Sequence, residues 1–190
     1  MIRTFIATEI PRYLALDELL DKLKKSGARL SVPKAEGMHI TLKFLGDIPE
    51  TSVEKINGAI AKVASSFSSF EAKVIGTGCF PGPRNPRVLW VGMIDGGKLG
   101  EISKAVDNEM TIFGFEPEKR PFTPHITVGR VKALSGIDVA INILRDYEKV
   151  EFGSFKVTDL RFKRSTLTPA GPIYEDLSVI PLSGASSADR

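Results

Sequence analysis

The chain contains two histidines, His39 and His125, and each opens the same tripeptide, His-Ile-Thr. In His39-Ile40-Thr41-Leu42-Lys43-Phe44, apolar Ile40, Leu42 and Phe44 alternate with His39, Thr41 and Lys43. That is the period of a strand with one face in a core. Side chains on a strand change face at every residue, so His39 and Thr41 share a face, roughly 6.6 Å apart along the backbone. Lys43 continues that face, and Phe44 is expected in the core with Ile40 and Leu42. The pattern returns 86 residues later (125 minus 39) in His125-Ile126-Thr127-Val128-Gly129-Arg130. Strict alternation puts Arg130 on the far face, unless Gly129 permits a bulge that turns it inward.

Two imidazoles, each with a hydroxyl two residues on, suit the in-line displacement at a phosphodiester. One group must take a proton from the incoming oxygen, and another must protonate the departing one on the opposite side of phosphorus. An ordinary imidazole titrates near pH 6.5, so neutral and protonated forms are both accessible. Thr41 and Thr127 can donate to the non-bridging oxygens, where charge accumulates. One His-x-Thr alone is more often a satisfied polar residue than a catalytic one. Weight comes from both histidines sharing the pattern.

Rival chemistries fare less well. Zinc needs three or four protein ligands, yet the chain has one cysteine, Cys79, and lacks a His-Glu-x-x-His helix. Neither a Gly-x-Ser-x-Gly elbow nor a Gly-x-x-x-x-Gly-Lys-Ser/Thr loop occurs. Gly76-Thr77-Gly78 reads as a bulge or strand end. No metal or other cofactor is therefore expected.

The elements that position the histidines follow from periodicity and punctuation. A first strand is expected at Arg3–Thr8, then a helix from Pro11 to about Lys25 with Leu14, Leu19, Leu20 and Leu23 inward and Gly27 ending it. A short strand at Ala28–Val32 precedes the first histidine strand. A helix follows from Thr51 or Ser52, with a Ser or Thr cap, to Ser66, carrying Val53, Ile56, Ile60 and Val63 on one stripe. Strands are expected at Phe70–Phe80 and Arg87–Met93, around the turn-rich Pro81–Pro86. A helix at Lys98–Phe113 buries Leu99, Ile102, Val106 and Met110, and the loop Phe115–Pro124 delivers the second histidine strand. A helix at Ile137–Glu148 and strands at Phe152–Ser165 and Ile173–Ile180 close the fold. Several connections look like hairpins, so the class is α+β rather than doubly wound. If the halves are related, a pseudo-twofold axis brings the two histidine strands face to face across a cleft.

At 190 residues the chain suits one large domain or two small lobes sharing a core, and 42% hydrophobic and 26% charged residues are ordinary for a globular protein. No apolar run spans a bilayer and the first residues do not read as a signal peptide, so the cytoplasm is the expected location. A net charge of +3 does not announce a nucleic-acid binder. Local bias is more telling: Arg84, Arg87, Arg120, Arg130, Lys132, Arg161, Lys163 and Arg164 fall in strands or loops, as a phosphate-bearing partner would suit.

The paired motifs resemble the twin His-x-Thr-x signature of the two-histidine (2H) phosphoesterases. Arg3-Thr4-Phe5-Ile6-Ala7, Phe44-Leu45-Gly46, Arg87-Val88-Leu89-Trp90 and Phe122-Thr123-Pro124 resemble its RNA 2′,3′-cyclic phosphodiesterase branch, also known as 2′-5′ RNA ligase. The likeness runs from Met1 to about Leu182. It implies one bilobal catalytic domain over 1–182, with two interleaved lobes, antiparallel sheets lining a central cleft and helices outside. Residues 183–190 would form a flexible tail. It further implies metal-free hydrolysis of a terminal 2′,3′-cyclic phosphate on RNA to a 2′-phosphomonoester, with His39 as proton donor and His125 as proton acceptor. Thr41 and Thr127 carry over as phosphate ligands, Arg130 as a basic position after the second motif, and Lys43 as a less uniform one. Phe5, Trp90 and Phe122 are the aromatics that could stack on a terminal base. The expected partner is an RNA or oligonucleotide end bound by a monomer, with no membrane involved. Reverse 2′-5′ ligation, RNA-end trimming by the same cleft, and a non-catalytic RNA- or nucleotide-binding module are the alternatives.

Overall fold

The computed structural model of the chain describes residues 1–169 and 171–184. Among the described residues nine strands form one curled, antiparallel sheet: β1 (Ile2–Glu9), β2 (Leu30–Ser31), β3 (His39–Ile48), β4 (Phe70–Phe80), β5 (Val88–Ile94), β6 (His125–Val131), β7 (Glu151–Val157), β8 (Asp159–Thr168) and β9 (Gly171–Pro181). The α-helices of the described residues pack on it: α1 (Leu14–Lys25), α2 (Val53–Ala64), α3 (Lys98–Met110) and α4 (Ile137–Asp146). The strand order is β7-β4-β5-β6-β3-β1-β8-β9, with β2 paired to β6. The histidine strands β3 and β6 are thus neighbours at the centre, and each has three strands beyond it. They lie side by side in one sheet, not face to face on opposed walls.

The helices are exchanged between the two halves of the sheet. α1 leaves β1 but packs with α4 behind β4 and β7, whereas α3 leaves β5 and packs with α2 behind β3, β8 and β9. Each helix buries a 3.6-period stripe, such as Leu16, Leu19, Leu20 and Leu23 on α1 and Leu99, Ile102, Val106 and Met110 on α3. One continuous core results, with Ile40 and Ile126 of the two motifs both at 0% exposure.

The expected elements are present, with local corrections. α1 begins at Leu14, because Ile10 N–H still bonds the Met38 carbonyl and Tyr13 keeps extended dihedrals. Leu14 therefore projects outward and Leu16 takes its place on the buried stripe. Ser52 makes no capping bond, since the short 3-10 turn Glu50–Ser52 leads directly into α2. The strand expected at Phe152–Ser165 is two strands, β7 and β8, broken at Thr158. Gly76, at φ +72°, marks a bulge between Val74 and Thr77, as the glycines around Thr77 suggest. Of the tail expected from 183, Ser183 and Gly184 donate backbone bonds to Ala64 and Phe67, and residues 185–190 lie outside the described part.

Candidate active site

β3 and β6 pair antiparallel at a single point, Ile40 opposite Ile126, and β2 takes over beside β6 at Arg130 and Val131. That register sets His39 opposite Thr127 and Thr41 opposite His125. Facing residues of paired strands share a face, so the two imidazoles and two hydroxyls occupy one surface, strands about 4.8 Å apart. All four are half-buried, while the alternating Ile40, Leu42, Ile126 and Val128 are buried behind them.

Each imidazole is oriented in the same way. His39 Nδ1 lies 2.9 Å from the Gly37 carbonyl and His125 Nδ1 2.7 Å from the Thr123 carbonyl. A carbonyl only accepts, so Nδ1 carries the proton in both rings and Nε2 is left for proton exchange. Aromatic rings fix them further: Tyr174 stands edge-on to His39 at 5.0 Å and Phe80 edge-on to His125 at 5.1 Å. Burial pushes both histidines below the ordinary imidazole value of 6.5, opposed by the two carbonyl bonds. Arg130 adds to the depression at both rings, which puts its charge within reach of each.

Arg130 reaches this surface through a bulge. β5 pairs Trp90 with Thr127 but Leu89 with Gly129, so Val128 is the extra residue and Arg130 shares a face with Val88, Trp90 and Thr127. The same irregularity sits at the same place in β3, where Ala7 faces Thr41 but Ile6 faces Lys43, leaving Leu42 extra. Lys43 is thereby sent to the helix side. Its side chain is 2% exposed, its ammonium bonds Asp107 of α3 at 2.5 Å and the Glu116 carbonyl at 3.0 Å. The expectation that Lys43 continues the histidine face is therefore corrected, and so is the core placement of Phe44. Phe44 is 56% exposed on the surface with His39, its ring 5.8 Å from Phe5. It occupies in β3 the position that Arg130 has in β6.

The aromatic candidates divide. Phe5, 2% exposed, lies against the His39 ring at 4.9 Å as a support, with no face left for a base. Trp90 is half-buried on the histidine face, where Gly78 leaves room for it: a Cβ there would come within 2.3 Å of the indole. Phe122 packs half-buried against the main core from the loop before β6. Phe80 and Tyr174, not singled out by sequence, complete the rim together with Phe44. A cavity of about 470 Å³ on the far side of Trp90, bordered by Cys79, Leu144 and Arg145, is separate from the histidines. Of the basic cluster, Arg161 and Lys163 are consumed in ion pairs with Glu9, Asp159 and Asp176. Among the described residues no three His, Cys, Asp or Glu side chains gather as a metal site, and no helix is long and apolar enough to cross a membrane.

A curled antiparallel sheet carrying one His-x-Thr on each of its two central strands defines a two-histidine phosphoesterase. The chain belongs to the 2′-5′ RNA ligase superfamily, whose signature matches residues 14–166. It is 36% identical to the RNA 2′,3′-cyclic phosphodiesterase of Methanothermobacter thermautotrophicus, over 95% of this chain and 99% of that one. Identity to the Archaeoglobus fulgidus protein of the same name is 37%, over 94% and 99%. Among solved structures, TT0787 of Thermus thermophilus superposes with a TM-score of 0.79 at 26% identity, covering 97% of this chain and all of that one. Escherichia coli LigT in apo form shares the fold at a TM-score of 0.70 and 20% identity, over 96% and 98%.

Proposed function

We propose that this chain hydrolyses the 2′,3′-cyclic phosphate at the end of an RNA, leaving a 2′-phosphomonoester and a free 3′-hydroxyl. The observation that carries this reading is the pair of matched imidazoles on adjacent central strands. Both have Nδ1 tied to a carbonyl and Nε2 free, with Arg130 near each. Water attacks phosphorus as His125 Nε2 takes its proton. The P–O3′ bond breaks on the opposite side, and His39 Nε2 protonates the departing O3′. Thr41 and Thr127 donate to the two non-bridging oxygens, and Arg130 balances the charge that builds there. The assignment of acid to His39 and base to His125 rests on likeness to the family, because the two rings are held alike. The names of the relatives support the cyclic phosphate end and the RNA. Phe44 and Trp90 are the rings we propose to meet the terminal base, Phe44 because it is exposed beside His39. One chain supplies both motifs, so a monomer suffices.

Reversal of the same steps joins a 5′-hydroxyl to the cyclic phosphate, so 2′-5′ ligation is a sister activity of one site. The test is incubation of a short RNA ending in a 2′,3′-cyclic phosphate with excess chelator, followed by product analysis. A 2′-phosphate supports the reading. A 3′-phosphate would reverse the choice of bond, shortened RNA would favour end trimming, and binding without product would favour a non-catalytic module.

A further inference from the structure

The two halves of the site are matched along the motif strands but not beside them. Glu9 of β1 pairs opposite His39, whereas the equivalent place opposite His125 is Gly92 of β5. A carboxylate next to one imidazole only should make the two rings unequal. It is, however, fully engaged. Lys163 Nζ bonds Glu9 Oε1 at 2.5 Å, and Arg161 holds Glu9 Oε2 at 3.0 Å. The same two cations take Asp176 at 2.5 and 2.6 Å, and Arg161 also bonds Asp159 at 3.0 Å. Lys163 is 3% exposed, facing Phe5 in the register of β1 and β8, so it sits in the floor directly under the His39 side of the site. An ammonium so withdrawn from water has to be matched by carboxylates, and Glu9 and Asp176 are those carboxylates.

We propose that Lys163 is a positioning residue for His39: by holding Glu9 in an ion pair it prevents this carboxylate from capturing the imidazole's proton. The role rests on the two-histidine acid–base reading above. An acid must surrender its proton as the P–O3′ bond breaks, and an unrestrained Glu9 would keep that proton in a salt bridge. Around the His39 ring the charged and titratable groups are Glu9 on β1, Arg161 and Lys163 on β8, Tyr174 and Asp176 on β9, and Arg130 and His125 on β6. The effects of the nearest agree in sign: Lys163 and Arg130 disfavour the imidazolium of His39, and Glu9 favours it. At His125 the charged side chain that acts is Arg130, and it too disfavours the imidazolium.

The chain's two histidines allow a direct test, because proton NMR of the intact protein should resolve two imidazole titrations, to be assigned with His39→Ala. In Lys163→Met the His39 midpoint should rise while that of His125 stays. Lys163→Arg should restore it, and Glu9→Gln in the Met background should bring it back down. In turnover of a nucleoside 2′,3′-cyclic phosphate, Lys163→Met should move the alkaline limb upward and lower kcat. Should Lys163→Met fail to fold, Glu9→Gln alone decides, since it should lower the His39 midpoint and leave His125 in place. A His39 midpoint that does not move, or moves together with His125, overturns the proposal. The expected NMR pattern without any turnover would instead count against the phosphodiesterase reading and leave this one standing.

Discussion

Lys43→Met separates a lysine that serves the site from one that holds the sheet. The Lys43 ammonium, 2% exposed, is bonded to Asp107, itself 15% exposed. Asp107 also accepts the Glu118 N–H at 3.1 and 3.2 Å, so the loop from α3 to β6 is tied through it. Removing one partner of a buried pair strands the other, at a cost of roughly 3–5 kcal/mol. Because Asp107 keeps some contact with water, the lower end applies, about 3 kcal/mol. For a chain of this length each kcal/mol moves Tm by roughly 2–4 °C, giving a fall of roughly 6–12 °C. Thermal unfolding followed by circular dichroism reads this directly, alongside turnover of a nucleoside cyclic phosphate well below the transition. The structure requires Tm to fall while kcat per folded molecule stays near wild type. Lys43→Met with Asp107→Leu should recover much of the loss, since a buried ion pair is replaceable by apolar side chains. An unchanged Tm with a large drop in kcat would put Lys43 in the site and refute the bulge at Leu42.

Arg130 is exposed and lies near both rings, so Arg130→Gln should cost about 1.5–3 kcal/mol of transition-state binding, on the order of 10- to 150-fold in kcat/KM. Tm should hold, and both histidine midpoints should rise; a shift at one ring alone would contradict the geometry. Phe44→Ala should raise KM for an oligonucleotide with little change in kcat, as loss of base stacking worth about 1–3 kcal/mol would. Equal losses with a substrate lacking a base would argue against stacking. Burial holds both imidazoles below 6.5, so the bell-shaped kcat/KM profile should peak on the acid side of that value. A monotonic rise from about pH 5 to about pH 9 would oppose paired acid–base roles. The same shifts act on stability. Below the ordinary imidazole value the unfolded chain binds more protons than the folded one, so stability is kept above it and lost as pH falls through the folded values. His39→Ala with His125→Ala should flatten that loss in denaturant titrations.

The histidines, their hydroxyls and most elements were legible because period-2 and period-3.6 patterns and chain punctuation are local. What escaped the sequence is the one-residue irregularity at Leu42, the counterpart of the one at Val128. At Val128 a glycine follows, and Gly129 advertised a departure from alternation, so Arg130 could be anticipated on the histidine face. At Leu42 the residue in glycine's place is Lys43, and nothing local announces a bulge. Its cause lies 61 and 64 residues away on α3: Ser103 donates to the Leu42 carbonyl and Asp107 binds Lys43, one helical turn apart. That helix belongs by sequence to the other half of the molecule, and its exchange across the sheet brings the clamp to β3. One residue of slippage reverses every following side chain, which is why a lysine expected at the phosphate is buried and a phenylalanine expected in the core is exposed. The outcome is chemical. Matched bulges give the two motifs the same frame five residues after each histidine, and the frame is filled by a cation on one side and a flat apolar ring on the other. A phosphate bearing a nucleoside has that same polarity, charge at one end and an aromatic base at the other. The asymmetry needed to choose one orientation of substrate can therefore reside in Phe44 and Arg130, while the histidines between them remain alike.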